Sequence, residues 1–193
     1  SNYHVLTVAT QDDGYLDSLR STLPMLKVLG LGAEWRGYMT KICCVHEYLK
    51  TVDDGDIVIF CDAYDVLFDK KRSIESLLDE FVNMGADVLF SVYDYNCHAN
   101  FLIRYYARRV FACLATDTDE LMGCNPGLYM AYCGALRVVL GDMIRLASAQ
   151  SEDDDERLLN STLNNNGRRV ARDRIVYRDQ IRVRLDTSDK IFH

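Results

Sequence analysis

The chain has 193 residues, 49% hydrophobic content and only two prolines, which predicts one compact domain with a full core and excludes a disordered chain. Acidic residues outnumber basic ones by 29 to 22, and the resulting net charge of −7 disfavours a nucleic-acid-binding surface because it would repel phosphate. Seven cysteines form an odd set without CxxC spacing, which argues against a disulfide framework and against a structural zinc site.

Hydrophobic periodicity predicts that strands and helices alternate along the chain. Residues 3–9 are expected to form the first strand, and a helix begins near Tyr15 and ends at Pro24. Later strands are expected at 25–32, 57–61, 86–92 and 125–132, and later helices at 40–51, 73–85, 134–148 and 151–167. The tail, 168–193, alternates like strands, whereas the basic and aromatic stretch 97–123 predicts a helix or a lid.

These lengths place the chain in the α/β class and predict a parallel, doubly wound sheet with its ligand site at the carboxyl ends of the strands. No apolar stretch approaches the roughly 20 residues that span a bilayer. The first four residues also lack the basic and apolar regions of a signal peptide. We therefore expect residues 1–193 to form a single soluble domain, alone or within a longer protein, in reduced, cytoplasmic or host-cytoplasmic surroundings.

Two aspartates follow the most hydrophobic predicted strand. The run IVIF at 57–60 is continuously apolar, as in a strand covered on both faces, so Asp62 emerges next to low-dielectric protein, with Asp65 one turn further on. Two such carboxylates repel each other, and a divalent cation with oxygen ligands relieves the repulsion while leaving coordination sites for phosphate. The simpler alternative is that Asp65 only caps a turn. The spacing is one residue too long for the DxD motif of a haloacid-dehalogenase-type phosphatase.

Six segments, in order, resemble the glycosyltransferase domain of the procollagen lysyl hydroxylases and their viral and bacterial relatives. The segments are VLTVAT (5–10), KVLGLGAEWRG (27–37), IVIFCDAYDVLF (57–68), NPGLYMAY (125–132), DDDERLLN (153–160) and LDTSDKIFH (185–193). The resemblance implies a GT-A, Rossmann-like nucleotide-sugar-binding fold with a central, mostly parallel mixed sheet flanked by helices. It also implies a UDP-sugar donor, such as UDP-glucose, and Mn²⁺, with Mg²⁺ as a substitute.

The resemblance assigns the metal and diphosphate site to the DxxD, a DxD-like motif. It implies that Asp62 and Asp65 bind Mn²⁺ and, through it, the diphosphate. Thr10 belongs to the first-strand segment under the nucleotide, and Lys41, after the glycine loop, is expected near a phosphate.

Two aromatic residues match those that enclose uracil in the family. They are Trp35 and Tyr64, and the alternative interpretations are a core anchor for the single tryptophan and a packed turn residue for the tyrosine.

The donor sugar is expected between a turn and an acidic run. Asn125 and Gly127 match the family's Asn-Ser-Gly-Gly turn, although Pro126 replaces its serine. Asp154 and Asp155 match the carboxylates that face the sugar from the side opposite the metal. Their alternative role is at a helix N-terminus, where acidic residues complement the helix dipole.

Three departures from the family pattern concern the rim of this site. The glycine-rich loop after EWRG is shortened to YMTK, and YDYNCH follows LFSV where the family has a Cys-Trp-Pro type, which argues against galactosyl-hydroxylysine of collagen as the acceptor. The family's metal-binding histidine falls on Thr187. Strand alternation places Asp189 on the same face, so we predict it as the third oxygen ligand, with water as the alternative.

We therefore expect a Mn²⁺-dependent glycosyltransferase that moves a hexose or deoxyhexose from a UDP-sugar to a hydroxyl of a glycan or glycoprotein, with retention of configuration. The alternatives are a catalytically degenerate UDP-sugar-binding or interaction module and a metal-dependent phosphohydrolase. The basic residues Arg104, Arg108 and Arg109 suit an anionic acceptor, or form a solvated helix face.

Overall fold

The core of the molecule is an eight-stranded sheet with the strand order β2-β1-β3-β5-β4-β8-β7-β6. The structure, a computed structural model, describes residues 2–69, 71–94, 102, 122–187 and 191–192. The strands are β1 (Tyr3–Val8), β2 (Leu26–Leu29), β3 (Ile57–Cys61), β4 (Val88–Asp94), β5 (Met122–Tyr132), β6 (Gly167–Ala171), β7 (Arg174–Tyr177) and β8 (Ile181–Leu185). The helices are α1 (Leu16–Thr22), α2 (Met39–Leu49), α3 (Ile74–Met84), α4 (Cys133–Gln150) and α5 (Asp155–Asn166).

Six of the eight strands point in one direction, and β5 and β7 run opposite to them. The mostly parallel mixed sheet implied by the resemblance is thus confirmed, whereas the wholly parallel sheet expected from strand and helix alternation alone is wrong for these two strands. The direction of β5 matters for the site. Because β5 is antiparallel to β3, its amino-terminal half extends past the carboxyl end of β3.

Helices cover both faces of the sheet, as the predicted α/β class requires. On one face α2, α4 and α5 pack against alternate strand residues such as Phe60, which stacks on Tyr129 with ring centroids 4.7 Å apart. On the other face α1 and α3 pack against the intervening residues, including Val5 and Ile59. The continuous apolar run of β3 is therefore explained by burial on both faces.

Local sequence signals set the ends of α3. The side chain of Ser73 accepts a hydrogen bond from the backbone N–H of Ser76 at 3.1 Å, and Gly85 ends the helix with a left-handed φ of 63°. The predicted helix range of 73–85 matches these ends, because serine caps helix N-termini and glycine adopts positive φ without a Cβ clash.

Some sequence predictions fall outside the described residues. Most of the stretch 97–123 does, including Arg104, Arg108 and Arg109, and so does Asp189. Within the described part of the chain, no helix combines the length and apolar character needed to cross a membrane. The cysteines that the structure describes are all free thiols, at positions 43, 44, 61, 124 and 133.

Candidate functional site

The turn between residues 125 and 127 lies against Asp62 at the carboxyl end of β3. The backbone N–H of Asp62 donates to the carbonyl oxygen of Gly127 at 2.8 Å, and the N–H of Gly127 donates to Asn125 Oδ1 at 2.7 Å. A Cβ added at Gly127 would lie 2.4 Å from Asp62 Oδ2, so a larger residue there would displace the Asp62 carboxylate. The structure therefore brings the predicted DxxD motif and the predicted sugar-side turn into direct contact.

A lysine from α2 joins two carboxylates at this edge. Lys41 Nζ lies 3.1 Å from Asp62 Oδ1 and 2.6 Å from Asp155 Oδ2. Both Lys41 and Asp155 are buried, and apart from this ion pair Asp155 Oδ2 has no hydrogen-bond partner among the described groups. Residues from β3, α2 and α5 are thus linked through one buried cation.

The charges around Lys41 shift the protonation of its neighbours. Burial raises the pKa of Asp62 above its usual value; Lys41 opposes this effect, and the nearby charges of Asp155 and Asp65 add to it. Burial alone would lower the pKa of Lys41, but the charges of Asp62 and Asp155 outweigh burial, so its pKa is raised. Lys41 therefore stays protonated and positively charged. A further cation near Asp62 would lower the pKa of this carboxyl group and stabilise its charged form.

The acidic run divides its structural roles among neighbouring residues. The carboxylate of Asp153 accepts hydrogen bonds from the backbone N–H groups of Tyr38 and Met39, both at 3.1 Å, at the start of α2. Asp154 caps α5 by accepting from the N–H of Arg157 at 2.9 Å. Both residues therefore lie at the helix N-terminus, where Asp154 is the cap and Asp155, in the first turn, also pairs with Lys41.

A cavity of about 630 Å³, here called the edge cavity, contains most of the predicted binding residues. Its lining includes six of them, namely Thr10, Trp35, Lys41, Asp62, Tyr64 and Asp65. A second cavity of about 520 Å³, here called the apolar cavity, shares Asp62 and Asp65 with the first and also includes Asn125 and Gly127. Neither Asp154 nor Asp155 lines either cavity, so Asp155 reaches the edge cavity only through Lys41.

Three aromatic side chains stand at the rim of the edge cavity. Trp35 is 46% exposed and Tyr64 is 40% exposed, which excludes the core-anchor interpretation of Trp35. The hydroxyl of Tyr64 donates to the carbonyl oxygen of Gln11 at 3.2 Å, which restrains the ring. The sequence reasoning missed Tyr38, which lines the same cavity and contacts Trp35 edge to face with centroids 6.0 Å apart. Its available signal was an aromatic residue in the shortened loop directly after EWRG.

Two carboxylates at this edge of the sheet are candidate ligands for a metal ion. In the described ranges, no three His, Cys, Asp or Glu side chains are grouped to hold a metal ion. Asp62 and Asp65 do supply hard carboxylate oxygens beside one cavity, which is the donor type that Mn²⁺ and Mg²⁺ accept. Asp65 is exposed and has no described partner, so it is free to bind a cation. The two carboxylates fit a divalent ion whose other ligands come from elsewhere.

Comparison with known proteins decides the family. The chain matches the PLOD GT domain over residues 1–193. It belongs to this glycosyltransferase family. The resemblance drawn from the six segments is thereby confirmed, and so is the assignment of the chain to the glycosyltransferases.

Two relatives of this chain are much longer proteins. The human multifunctional procollagen lysine hydroxylase and glycosyltransferase LH3 is 36% identical over 101 residues, which cover 45% of this chain and 13% of LH3. The LH3 of Pongo abelii gives the same values, so the match spans a small part of both relatives.

Solved structures show weaker similarity. The IspD cytidylyltransferase of Francisella tularensis has a TM-score of 0.43 and 11% identity, covering 83% of this chain and 86% of its own. The A197 protein from STIV has a TM-score of 0.48 and 14% identity, covering 96% of this chain and 95% of its own.

The ion pairs of Lys41 predict a stability effect without any ligand. Lys41→Met leaves two carboxylates without their shared cation, so we expect the free energy of unfolding in urea to fall by about 3–5 kcal/mol. Adding Asp155→Asn removes one of these carboxylates, so the double variant should lose less than the sum of the single variants. Lys50→Met, which removes an exposed ion pair at the end of the same helix, is the control. Equal free energies of unfolding for Lys41→Met and Lys50→Met would show that the buried ion pairs of Lys41 do not stabilise the fold.

Proposed function

We propose that the domain transfers a sugar from a UDP-sugar to a hydroxyl of a glycan or glycoprotein, in a Mn²⁺-dependent reaction with retention of configuration. The observation that carries the proposal is the edge cavity, in which the DxxD carboxylates and the rim aromatics lie together in a member of the PLOD GT family. Family membership favours this function over a phosphohydrolase. The experiment that tests it is sugar transfer or donor hydrolysis from UDP-sugars with and without Mn²⁺, which a degenerate binding module would not perform.

The proposed donor position follows from the lining of the edge cavity. The uracil ring would lie between Trp35 and Tyr64, whose exposed faces provide stacking surfaces. The diphosphate would lie next to Asp62 and Asp65. Because these carboxylates would repel phosphate, they need a cation between them and the nucleotide, and a Mn²⁺ ion bound there would stabilise negative charge on the leaving diphosphate.

The residues around the diphosphate would hold the reacting bond in place. In the transfer, the bond between the anomeric carbon and the diphosphate oxygen breaks and its electron pair stays on UDP. The acceptor oxygen bonds to the anomeric carbon, and its proton passes to the departing diphosphate. Asn125 and Gly127 would border the sugar, because Gly127 contacts Asp62 and Asn125 accepts a hydrogen bond from Gly127. Asp155 would act by orienting Lys41, because the structure places this lysine between Asp155 and the cavity.

We expect Trp35→Ala to weaken UDP binding without destabilising the domain. Loss of one stacking surface costs about 1–3 kcal/mol of binding, which is roughly 5- to 150-fold in affinity. Tyr38→Ala should cost only a few-fold, because it acts through its edge contact with Trp35. Calorimetric titration and melting curves on the same preparations measure both effects. Tyr15→Ala, an exposed aromatic outside the cavity, is the control. A large loss of stability in Trp35→Ala with intact UDP affinity would contradict the stacking role.

The metal role of Asp65 predicts a specific loss in UDP binding. In Asp65→Asn, the gain in UDP affinity on adding Mn²⁺ should shrink by about tenfold or more, since losing even an outer partner of a metal site costs 10- to 100-fold. The fold should remain intact because Asp65 is exposed. Titrations of UDP with and without Mn²⁺ give the effect, and Asp69→Asn controls for nearby negative charge. If the metal still strengthens UDP binding as in the wild type, Asp65 is not a ligand.

The position of Asp155 predicts an effect on the chemical step. Asp155→Asn should lower kcat by roughly 100-fold or more, as when an oriented electrostatic group is removed, while UDP affinity changes only a few-fold. If Asp155 acts through Lys41, the double variant with Lys41→Met should be no slower than the slower single variant. A double variant slower than both would instead indicate direct contact with the sugar, as the resemblance implies. Asp53→Asn, at an exposed position, is the control. A kcat of Asp155→Asn equal to that of the wild type would show that Asp155 has only a structural role.

A further inference from the structure

The apolar cavity extends from the DxxD edge into the layer between α1 and α3. Val5 and Ile59 are paired neighbours in the sheet and form part of its floor, below Asp62. Leu19 of α1 and Leu77 of α3 form opposite walls, and all four of these apolar residues are buried. The packed core therefore forms the inner end of the cavity, whereas the outer end, which includes the exposed Leu67, is open to solvent.

The apolar cavity is an open pocket of about 520 Å³. This volume falls in the range of small-molecule binding sites, about 300–1,000 Å³, which are mostly apolar with a few placed polar groups. The cavity thus has the size and lining of a ligand site.

The cavity also has charged and polar lining residues, namely Asp62, Asp65, Asp69, Arg72 and Asn125. Two of them, Asp62 and Asp65, also line the edge cavity. Leu67 belongs to the same lining and is 62% exposed, so a bound apolar group would cover it. A ligand with a polar and an apolar end would therefore place its polar end beside the DxxD motif and its apolar end between the helices.

We propose that the apolar cavity binds the apolar part of the acceptor, an alkyl chain or an aromatic ring attached to the group that carries the reacting hydroxyl. The proposal rests on the proposed sugar transfer and adds the acceptor class to it. The two cavities meet at Asp62 and Asp65, so an acceptor held in one brings its hydroxyl to the sugar of a donor held in the other. Proximity of this kind is a main source of rate enhancement for two-substrate reactions.

The test compares acceptor probes that differ only in their apolar part. Methyl, octyl and phenyl β-D-glucosides, each below its micelle concentration, are titrated into the protein with UDP and Mn²⁺ present, and UDP binding is measured on the same preparation. We expect octyl or phenyl glucoside to bind at least tenfold more tightly than methyl glucoside, and the preferred probe distinguishes an alkyl from an aromatic occupant. Equal affinities with normal UDP binding overturn this inference and leave the proposed function standing. Absent UDP binding overturns the proposed function and, with it, the acceptor role of the cavity.

A filling substitution locates the binding. Leu77→Phe adds volume inside the cavity, so it should abolish the preference for the octyl or phenyl probe while UDP affinity remains unchanged. Val82→Phe makes the same kind of change on the exposed side of α3. It should alter neither the preference for the apolar probe nor the affinity for UDP. If Leu77→Phe fails to fold, Leu19→Phe narrows the cavity from the opposite wall. A preference for apolar probes that persists in a folded, filled variant places their binding elsewhere and overturns the proposal.

Discussion

The buried cation of Lys41 is the interaction on which the arrangement of the site depends. Its ammonium group contacts Asp62, which follows β3, and Asp155, in the first turn of α5. Without it, the buried carboxylate of Asp155 and the partly exposed carboxylate of Asp62 would face each other, and the pKa of Asp62, already raised by burial, would rise further. The lysine thus allows a partly desolvated aspartate to remain at the end of a hydrophobic strand. The lysine holds Asp62 Oδ1, and Asp62 Oδ2 lies against Gly127.

The acidic run extends this linkage to the loop at the cavity rim. Asp153 accepts hydrogen bonds from the N–H groups that begin α2, and an added Cβ at Gly37 would overlap its carboxylate. Hydrogen bonds to Asp153 therefore connect the loop that contains Trp35 and Tyr38 to the segment that contains Asp155. A like-charged run is commonly a solvated face, but here three successive aspartates have three different partners: the start of α2, the start of α5 and Lys41. Dense negative charge is tolerated because helix N-termini and a lysine compensate it.

The sequence predicted what depends on local pattern and on family motifs. The Ser73 cap, the Gly85 helix end and the position of Asp62 after a buried strand follow from short-range rules, and the structure confirms them. The pairing of Lys41 with Asp155 did not follow, because it joins residues far apart in the chain and requires the packing of α2 beside α5. Tyr38 was missed for a related reason. A shortened loop has no periodic pattern, so only its folded position shows that the tyrosine contacts Trp35.

The direction of β5 explains how one sheet edge serves two cavities. In a wholly parallel sheet, only the residues that follow each strand would meet at this edge. Because β5 runs in the opposite direction, its early residues lie beyond the end of β3, where Gly127 contacts Asp62 and Asn125 accepts a hydrogen bond from Gly127. The DxxD motif thereby lies between the rim residues Trp35 and Tyr38 of the edge cavity and the early residues of β5. A carboxylate pair in that position borders both cavities, so a donor in one and an acceptor in the other would meet at the same two side chains.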